Sequence, residues 1–275
     1  MTLSNIRVGF FVLYTSLMVF STGAIAEEKP LWEFGAGVAS LYNPDYLGAD
    51  QETAYALPIP FINYRGKLIR ADRDGVRGFI YESEKLDLNL SFSGSLPVNS
   101  KDNDTREGMD DLDLMLEVGP TLQYQLFKSS RHLWRADWPV RGGFSVGDKF
   151  MAYQGWTTNP RLHHEMDVNR WKLTTTLGPV FSDSRYHGFY YDVDPQDVRT
   201  GRDYYRSDSG YTGTRFSTGL KRRIGDYFVA GKLTYYTIEG ASNEHSPLIK
   251  KNDYFGVSFV LVWVFGQSET MVSVE

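Results

Sequence analysis

Two short stretches carry residue types that could do chemistry. His163-His164-Glu165 offers two imidazoles and a carboxylate, which are groups that bind Zn²⁺ in proteins. Glu244-His245-Ser246 offers an acid, a base and a hydroxyl nucleophile in one run. Adjacent residues of a strand point to opposite faces, so the two histidines cannot bind one ion without a bend in the chain. A nucleophile and its base are recognised by geometry rather than by adjacency in sequence, so we predict no enzyme, no metal site and no cofactor.

The elements that would position any such residues are long strands. Residues 85–98 and 112–127 alternate between apolar and polar side chains, and the polar segment 99–111 connects them. A period of two gives a strand one apolar face and one polar face. The two runs are roughly 13 to 16 residues long, where strands of soluble proteins average about 5–6. This pattern is typical of a hairpin with lipid on one side and water on the other.

Composition and the N-terminus indicate an exported protein. The 275-residue chain has a net charge of −5 and no cysteine. Arg7, the apolar run 8–20 and the small residues Ala24-Ile25-Ala26 predict a cleaved signal peptide over residues 1–26, followed by a single domain over residues 27–275. No later segment is apolar enough for a membrane-spanning helix. The acidic balance gives no reason to expect a nucleic-acid partner.

Twelve strands can be placed along the chain, with ten or fourteen as alternatives. They cover residues 31–42, 54–64, 67–72, 76–82, 85–98, 112–127, 132–146, 158–168, 170–183, 210–223, 226–239 and 253–265. Alternate connections are short, and the others, except 73–75, are long. An even strand count with short turns at one end and long loops at the other predicts an all-β fold, a transmembrane antiparallel β-barrel in the cell outer membrane. Its first partner is then outer-membrane lipid.

Aromatic residues near the strand ends support the same fold. Trp and Tyr rings favour membrane interfaces, because their bodies are apolar while their N–H and O–H groups seek water. The final strand ends on Trp263 and Phe265, which we predict to be the assembly signal. Ten residues follow Phe265, which is unusual for such a signal. The aromatic residues near strand ends are Trp32, Tyr64, Tyr81, Trp134, Trp171, Tyr227 and Trp263.

Several ordered motifs make the sequence resemble the MltA-interacting protein (MipA)/OmpV family of Gram-negative outer-membrane proteins. They are Pro44-Asp45-Tyr46-Leu47-Gly48, Leu57-Pro58-Ile59-Pro60, Arg106-Glu107-Gly108-Met109-Asp110-Asp111-Leu112, Gly201-Arg202-Asp203-Tyr204-Tyr205 and Ser246-Pro247-Leu248-Ile249. The resemblance implies a barrel, and a scaffolding role that links a murein lytic transglycosylase to a penicillin-binding protein in peptidoglycan synthesis. Other members of the family look like adhesins.

The polar faces of the predicted strands carry charges of both signs. A balanced set favours ion pairs that fill the lumen, because charges away from bulk water need partners. A set dominated by one sign would favour a selective pore, and four acids against five bases is nearly balanced. The predicted lumen charges are Asp87, Asp113, Glu117, Arg135, Asp137, Arg141, Lys172, Arg215 and Lys232.

Function is expected at the loops and ends of such a barrel. Residues 184–209 are rich in Tyr and Asp and are predicted to form one large loop, which either contacts a partner or folds over the barrel mouth. The leading hypothesis is a scaffold or interaction protein. The alternatives are a narrow small-solute channel and a surface adhesin.

Overall fold

A computed structural model describes residues 27–66, 69–72, 75–147 and 150–274. The predicted signal peptide, residues 1–26, lies outside the described residues. In the described part of the chain, no helix is long and apolar enough to cross a membrane.

Fifteen strands and one α-helix make up the described fold. The helix, α1, spans Ser184–Tyr191. The strands are β1 (Glu27–Pro30), β2 (Trp32–Pro44), β3 (Glu52–Arg65), β4 (Ile69–Asp72), β5 (Gly75–Glu82), β6 (Leu86–Ser95), β7 (Leu114–Lys128), β8 (His132–Val146), β9 (Ala152–Thr158), β10 (Arg161–Val168), β11 (Trp171–Ser182), β12 (Gly210–Ile224), β13 (Tyr227–Thr237), β14 (Asp253–Gln267) and β15 (Met271–Val274).

Antiparallel pairing runs through β2 to β14 in one sheet. Each strand from β2 to β8 pairs with the next along the chain, as do β10 to β14, and β14 pairs back with β2. β9 and β10 lie end to end between β8 and β11, and each of them pairs with both. Together they fill one strand position, so the circuit of pairings has the twelve positions that the sequence predicts. Both ends of the described chain, residues 27 and 274, lie at the end with the short turns, as in outer-membrane barrels.

The predicted alternation between faces is present in the strands. On β7, Leu116, Leu122 and Tyr124 are exposed on the outer face, whereas Thr121 and Gln123 are buried inside. The outer face therefore carries the apolar residues that lipid requires, and the inner face carries the polar ones.

Three sequence predictions need correction. The predicted loop 147–157 contains β9, which is separated from β10 only at Asn159-Pro160, because proline has no N–H to donate to a ladder. The predicted loop 184–209 begins with α1, whose N-cap Asp183 accepts a hydrogen bond from the Tyr186 N–H at 2.8 Å. Residues 27–30 and 271–274, for which no strand is predicted, pair with each other as β1 and β15.

The β4–β5 hairpin is much shorter than its neighbours. β3 has 14 residues, but in the described part of the chain β4 pairs with it only at Tyr64 and Arg65. β5 pairs with β6 between Gly78 and Glu82. The hairpin therefore fills the wall only near the end with the short turns. β4 ends at Asp72 and β5 begins at Gly75, so these two strands end short of the outer rim, and the connection between them is the one short member of the loop series.

Candidate functional site in the lumen and external cap

Asp137 is the centre of a charge network inside the barrel. Its carboxylate is 1% exposed and accepts a hydrogen bond from Arg135 Nε at 2.7 Å. Arg161 Nε and His163 Nδ1 lie 3.6 Å and 3.7 Å from its other oxygen. Glu165 continues the network through His163 Nε2 at 3.0 Å. Strand alternation sends all these side chains inward, and their mutual pairing offsets the cost of removing them from water.

A second cluster joins the lumen to the helix at the outer end. Glu117 accepts a hydrogen bond from the Tyr186 hydroxyl of α1 at 2.6 Å. Arg141 Nη1 lies 3.9 Å from the same carboxylate, and Arg141 Nε donates to Ser91 Oγ at 3.0 Å. The helix is therefore fixed to the inner wall by a lumen acid.

The other predicted lumen charges occupy varied positions. Lys172 lies 3.3 Å from Glu165, and Arg215 donates to Asn159 at 2.8 Å. Asp87 lies opposite Gln123 on β7, and Lys232 is on the inward side of β13 but exposed. Asp113 forms no ion pair with a described residue: it lies at the outer rim, where its carboxylate packs against Gly147.

Sequence reasoning missed a cluster at the end with the short turns. Glu33 is 1% exposed and bonds to Arg65 at 2.5 Å and to Arg223. Arg65 Nη1 also donates to the Pro30 carbonyl at 2.6 Å, which holds β1 against the barrel. The sequence signal for this cluster is Glu33 itself, an acidic residue between the aromatic residues Trp32 and Phe34 of an alternating strand.

The inward side chains around the network are nearly inaccessible to water. In a water-filled channel they would be exposed, so their burial indicates that this part of the lumen is filled. The polar residues buried to 9% exposure or less on β6, β7, β8 and β10 include Asn89, Ser91, Thr121, Gln123, Asp137, Ser145 and His163.

Neither chemical stretch of the sequence assembles a reactive site. His163 faces the lumen, whereas His164 faces outward and stacks on Trp134 with ring centroids 4.0 Å apart. His245 is exposed at 3.7 Å from Glu244, while the buried Ser246 hydroxyl donates to the Tyr191 carbonyl. Among the described residues, no group of three or more His, Cys, Asp or Glu side chains could hold a metal ion.

Four external segments pack into a cap over the outer end of the barrel. Its apolar centre is formed by Tyr46, Ala49, Val98, Leu112, Tyr191, Val193 and Leu248. Arg106 is 4% exposed and donates to the Tyr190 carbonyl at 3.2 Å. Arg202 donates to the carbonyls of Thr105 and Glu107 at 3.0 Å. The segment 184–209 therefore folds over the barrel mouth, which is one of the two roles that the sequence allows.

His187 is a buried histidine in α1. Its Nδ1 lies 2.7 Å from the Asp208 carbonyl, and its Nε2 lies 2.8 Å from Thr212 Oγ1. Burial lowers the pKa of His187 below its usual value, and the contact with the Asp208 carbonyl opposes that shift. The cap therefore favours the neutral imidazole.

The predicted assembly residues lie on the lipid face of β14. Trp263 and Phe265 are each about half exposed, and their ring centroids are 5.2 Å apart. Phe265 also meets Phe34 edge to face at 5.3 Å. These rings form part of an aromatic belt near the end with the short turns.

Fold, lipid-facing belt and ion-paired lumen together define an outer-membrane β-barrel protein. The chain belongs to the MltA-interacting protein family: the family model described as MltA-interacting protein MipA matches residues 36–265. It is 26% identical over 251 residues to YiaT of Escherichia coli (strain K12), a protein named for the outer membrane, with 90% of this chain and 94% of YiaT covered. YiaT of Escherichia coli O157:H7 matches equally.

Two solved structures are similar at low identity. A bacterial polysaccharide outer membrane secretin aligns over 85% of this chain and 99% of its own, with a TM-score of 0.42 and 9% identity. The toluene transporter TodX of Pseudomonas putida aligns over 88% and 90%, with a TM-score of 0.34 and 10% identity. Similarities this weak carry no information about ligands.

Replacing Asp137 should destabilise the barrel. Asp137→Ala leaves Arg135 and Arg161 buried without their carboxylate, so the free energy of unfolding should fall by about 3–5 kcal/mol. Urea unfolding in lipid vesicles measures this. The matched control is Glu107→Ala, which removes an exposed pair with Arg199 and should cost at most about 1 kcal/mol. Equal costs would contradict a buried, mutually paired network.

The cap should loosen as the pH falls. The closed cap lowers the pKa of His187, so the imidazole binds a proton more readily when the cap is open. The closed cap therefore loses stability below pH 6.5, the ordinary pKa of histidine. The loss is at most about 1.4 kcal/mol per pH unit. Proteinase K cleavage within residues 192–209, normalised to an unstructured substrate, should rise between pH 6.5 and about 5. His187→Asn keeps a donor for the Asp208 carbonyl and should remove this dependence; an unchanged pH profile in the variant would exclude His187 as its cause.

Proposed function

We propose that the protein is a non-catalytic interaction protein of the outer membrane, whose periplasmic docking element is the ribbon formed by its two chain ends. The observation that carries the proposal is the pairing of Glu27–Pro30 with Met271–Val274. In the described residues, each of these strands pairs only with the other, so each keeps one edge with no strand beside it. A free strand edge is a template for strand addition by a partner.

Apart from this ribbon, the barrel offers little protein surface that a periplasmic partner could contact. The connections at this end are short, such as Gly225-Asp226 between β12 and β13. Two hydrogen bonds hold the ribbon in place. Arg65 donates to the Pro30 carbonyl, and the Leu31 N–H donates to the Thr270 carbonyl at 2.8 Å. A fixed ribbon loses less conformational entropy on binding than a loose tail would.

The partner class follows from the family. The name of the family refers to interaction with MltA, which we take as support for a murein lytic transglycosylase as the partner of this chain. A penicillin-binding protein is the second partner in this proposal, bound to the same assembly. Peptidoglycan synthesis enzymes would thereby be held at the outer membrane.

Breaking the ribbon should weaken partner binding. Val272→Pro removes an N–H and disrupts the pairing with Lys29, so affinity for the lytic transglycosylase should fall by about tenfold, or about 1.4 kcal/mol. Surface plasmon resonance with the full-length protein in detergent measures it. Val272→Thr keeps a strand-forming side chain and should bind as the parent does. Unchanged affinity in both variants, with heat-modifiable gel migration retained, would place the docking surface elsewhere.

The filled lumen supports this role over that of a channel. With Asp137, His163 and Gln123 at 9% exposure or less, ions find no continuous water path beside them. Planar bilayers containing the protein should show no reproducible single-channel currents under conditions in which a porin conducts. Saturable currents would favour the small-solute channel instead.

A further inference from the structure

A pair of histidines lies on the lipid-facing side of the wall, near the end with the short turns. His132 is the first residue of β8, and His164 belongs to β10, which pairs with β8. His132 Nδ1 lies 3.1 Å from His164 Nε2, and the two rings are nearly parallel, with their centroids 5.4 Å apart. The two residues are 32 positions apart in the chain, so only the pairing of the strands brings them together.

Met166 adds a third possible metal ligand on the same face. It lies directly opposite His132 in the register of β8 and β10, two residues after His164. Residues directly opposite each other have Cβ atoms about 4.5–5.5 Å apart, and residues two apart in a strand share a face. The unbranched methionine side chain can turn its thioether towards a neighbour at that distance. All three side chains are partly buried.

Trp134 holds the ring of His164 in place. The two residues are opposite each other in the same register, and their rings stack with centroids 4.0 Å apart at an angle of 16°. This stacking restricts rotation of the imidazole and keeps its Nε2 directed at His132. A ligand whose orientation is fixed in advance loses less conformational entropy when it binds.

The distance between the two imidazole nitrogens suits a shared metal ion. Metal–nitrogen bonds of about 2.0–2.1 Å that meet at roughly 100° place the two nitrogens about 3 Å apart. Without a metal, one of the two nitrogens donates a hydrogen bond to the other. For both lone pairs to face an ion, the donor imidazole moves its proton to its other ring nitrogen, so no net proton is released.

The ligand types and their surroundings favour a soft metal ion of single charge. A thioether selects Cu(I), and imidazole also binds copper, whereas Zn²⁺ is usually bound by imidazole, thiolate and carboxylate. The face around the site is apolar, with Leu173 opposite Met166 and Phe127 opposite Trp134. Apolar surroundings disfavour a doubly charged ion more strongly than a singly charged one.

We propose that His132, His164 and Met166 form a binding site for Cu(I), with Trp134 as a positioning residue. The ion reaches the site from the side of the short turns, because the adjacent turn at residues 129–131 is exposed. The site lies on the outer surface of the wall, apart from the lumen and from the ribbon of the chain ends. It is therefore independent of the docking function proposed above.

Competition for Cu(I) tests the two imidazole ligands. The full-length protein in detergent, without a polyhistidine tag, should compete with the chromophoric chelator bicinchoninate for one equivalent of Cu(I), under anaerobic conditions with ascorbate. His132→Asn and His164→Gln each keep an amide near the position of the hydrogen-bonded nitrogen but remove an imidazole. Loss of a residue that only supports a metal ligand costs about 10–100-fold in affinity, so each variant should lose at least about tenfold.

X-ray absorption of the copper-loaded protein tests the thioether. The spectrum should show one sulfur and two imidazole nitrogens around the ion, and Met166→Leu should remove the sulfur scattering. The chain has no cysteine, so no thiolate can supply that sulfur. Trp134→Leu should weaken the affinity but leave the same three ligands in the spectrum, as expected of a positioning residue.

Two matched controls remove the same residue types elsewhere. His245 is an exposed histidine of the cap and Met271 an exposed methionine of β15, so His245→Gln and Met271→Leu should bind Cu(I) as the parent does. The proposal is overturned if the parent does not compete for Cu(I), if His245→Gln weakens binding as much as His164→Gln does, if the spectrum shows no sulfur, or if Zn²⁺ displaces Cu(I). Heat-modifiable migration confirms that each variant is folded.

Discussion

The need to pair every backbone N–H and C=O in a medium without water governs this structure. Strands can cross lipid only when each has a partner on both sides, which the circuit from β2 through β14 and back to β2 provides. The length of the strands, the alternation of their apolar and polar side chains, and the division into short turns and long loops are consequences of that one requirement. The β4–β5 hairpin is the exception, because twenty residues between β3 and β6 are too few for two strands that reach the outer rim. Among the described residues, β4 pairs with β3 only at Tyr64 and Arg65, and Pro58 and Pro60 lower the number of β3 donors that need a partner.

Inside the wall the same shortage of water acts on side chains. Asp137, Glu117 and Glu33 each lie beside one or more arginines, because a buried carboxylate without a cation would be strongly unfavourable. Glu33 of β2 also pairs with Arg223 of β12, which is far from it in the chain, and Glu117 holds α1 in the barrel mouth. The charges of the lumen therefore also fix the position of the cap. This is why the barrel is filled through its middle and presents its distinctive surfaces at its two ends.

Four of the five motifs that carry the family resemblance gather in the cap, and the fifth, Leu57-Pro58-Ile59-Pro60, lies in β3. Tyr46, Arg106, Arg202 and Leu248 come from four segments separated by up to some two hundred residues, yet all belong to the cap or its apolar centre. In sequence they resemble ordinary loop composition, with Gly, Asp and Tyr. Their importance lies in contacts between loops: the Tyr46 hydroxyl donates to the Leu248 carbonyl, and Arg202 donates to carbonyls of the loop 99–111. No local pattern could reveal those contacts.

The sequence alone predicts the barrel, its twelve strand positions, its lipid and lumen faces, and which end of the barrel has the short turns. It can do so because a period of two is a local property of the chain. The helix α1 was missed: an eight-residue Tyr-rich run has no clear helical period, and only the N-cap Asp183 signals it. The tertiary structure decided which charges meet, so that Arg161 joins the Asp137 network and Glu33 forms a separate cluster with Arg65 and Arg223. It also decided that residues 27–30 pair with residues 271–274 and that the β4–β5 hairpin is short. These depend on which strands become neighbours and how far each one rises, and that is set by the closing of the sheet rather than by any one segment.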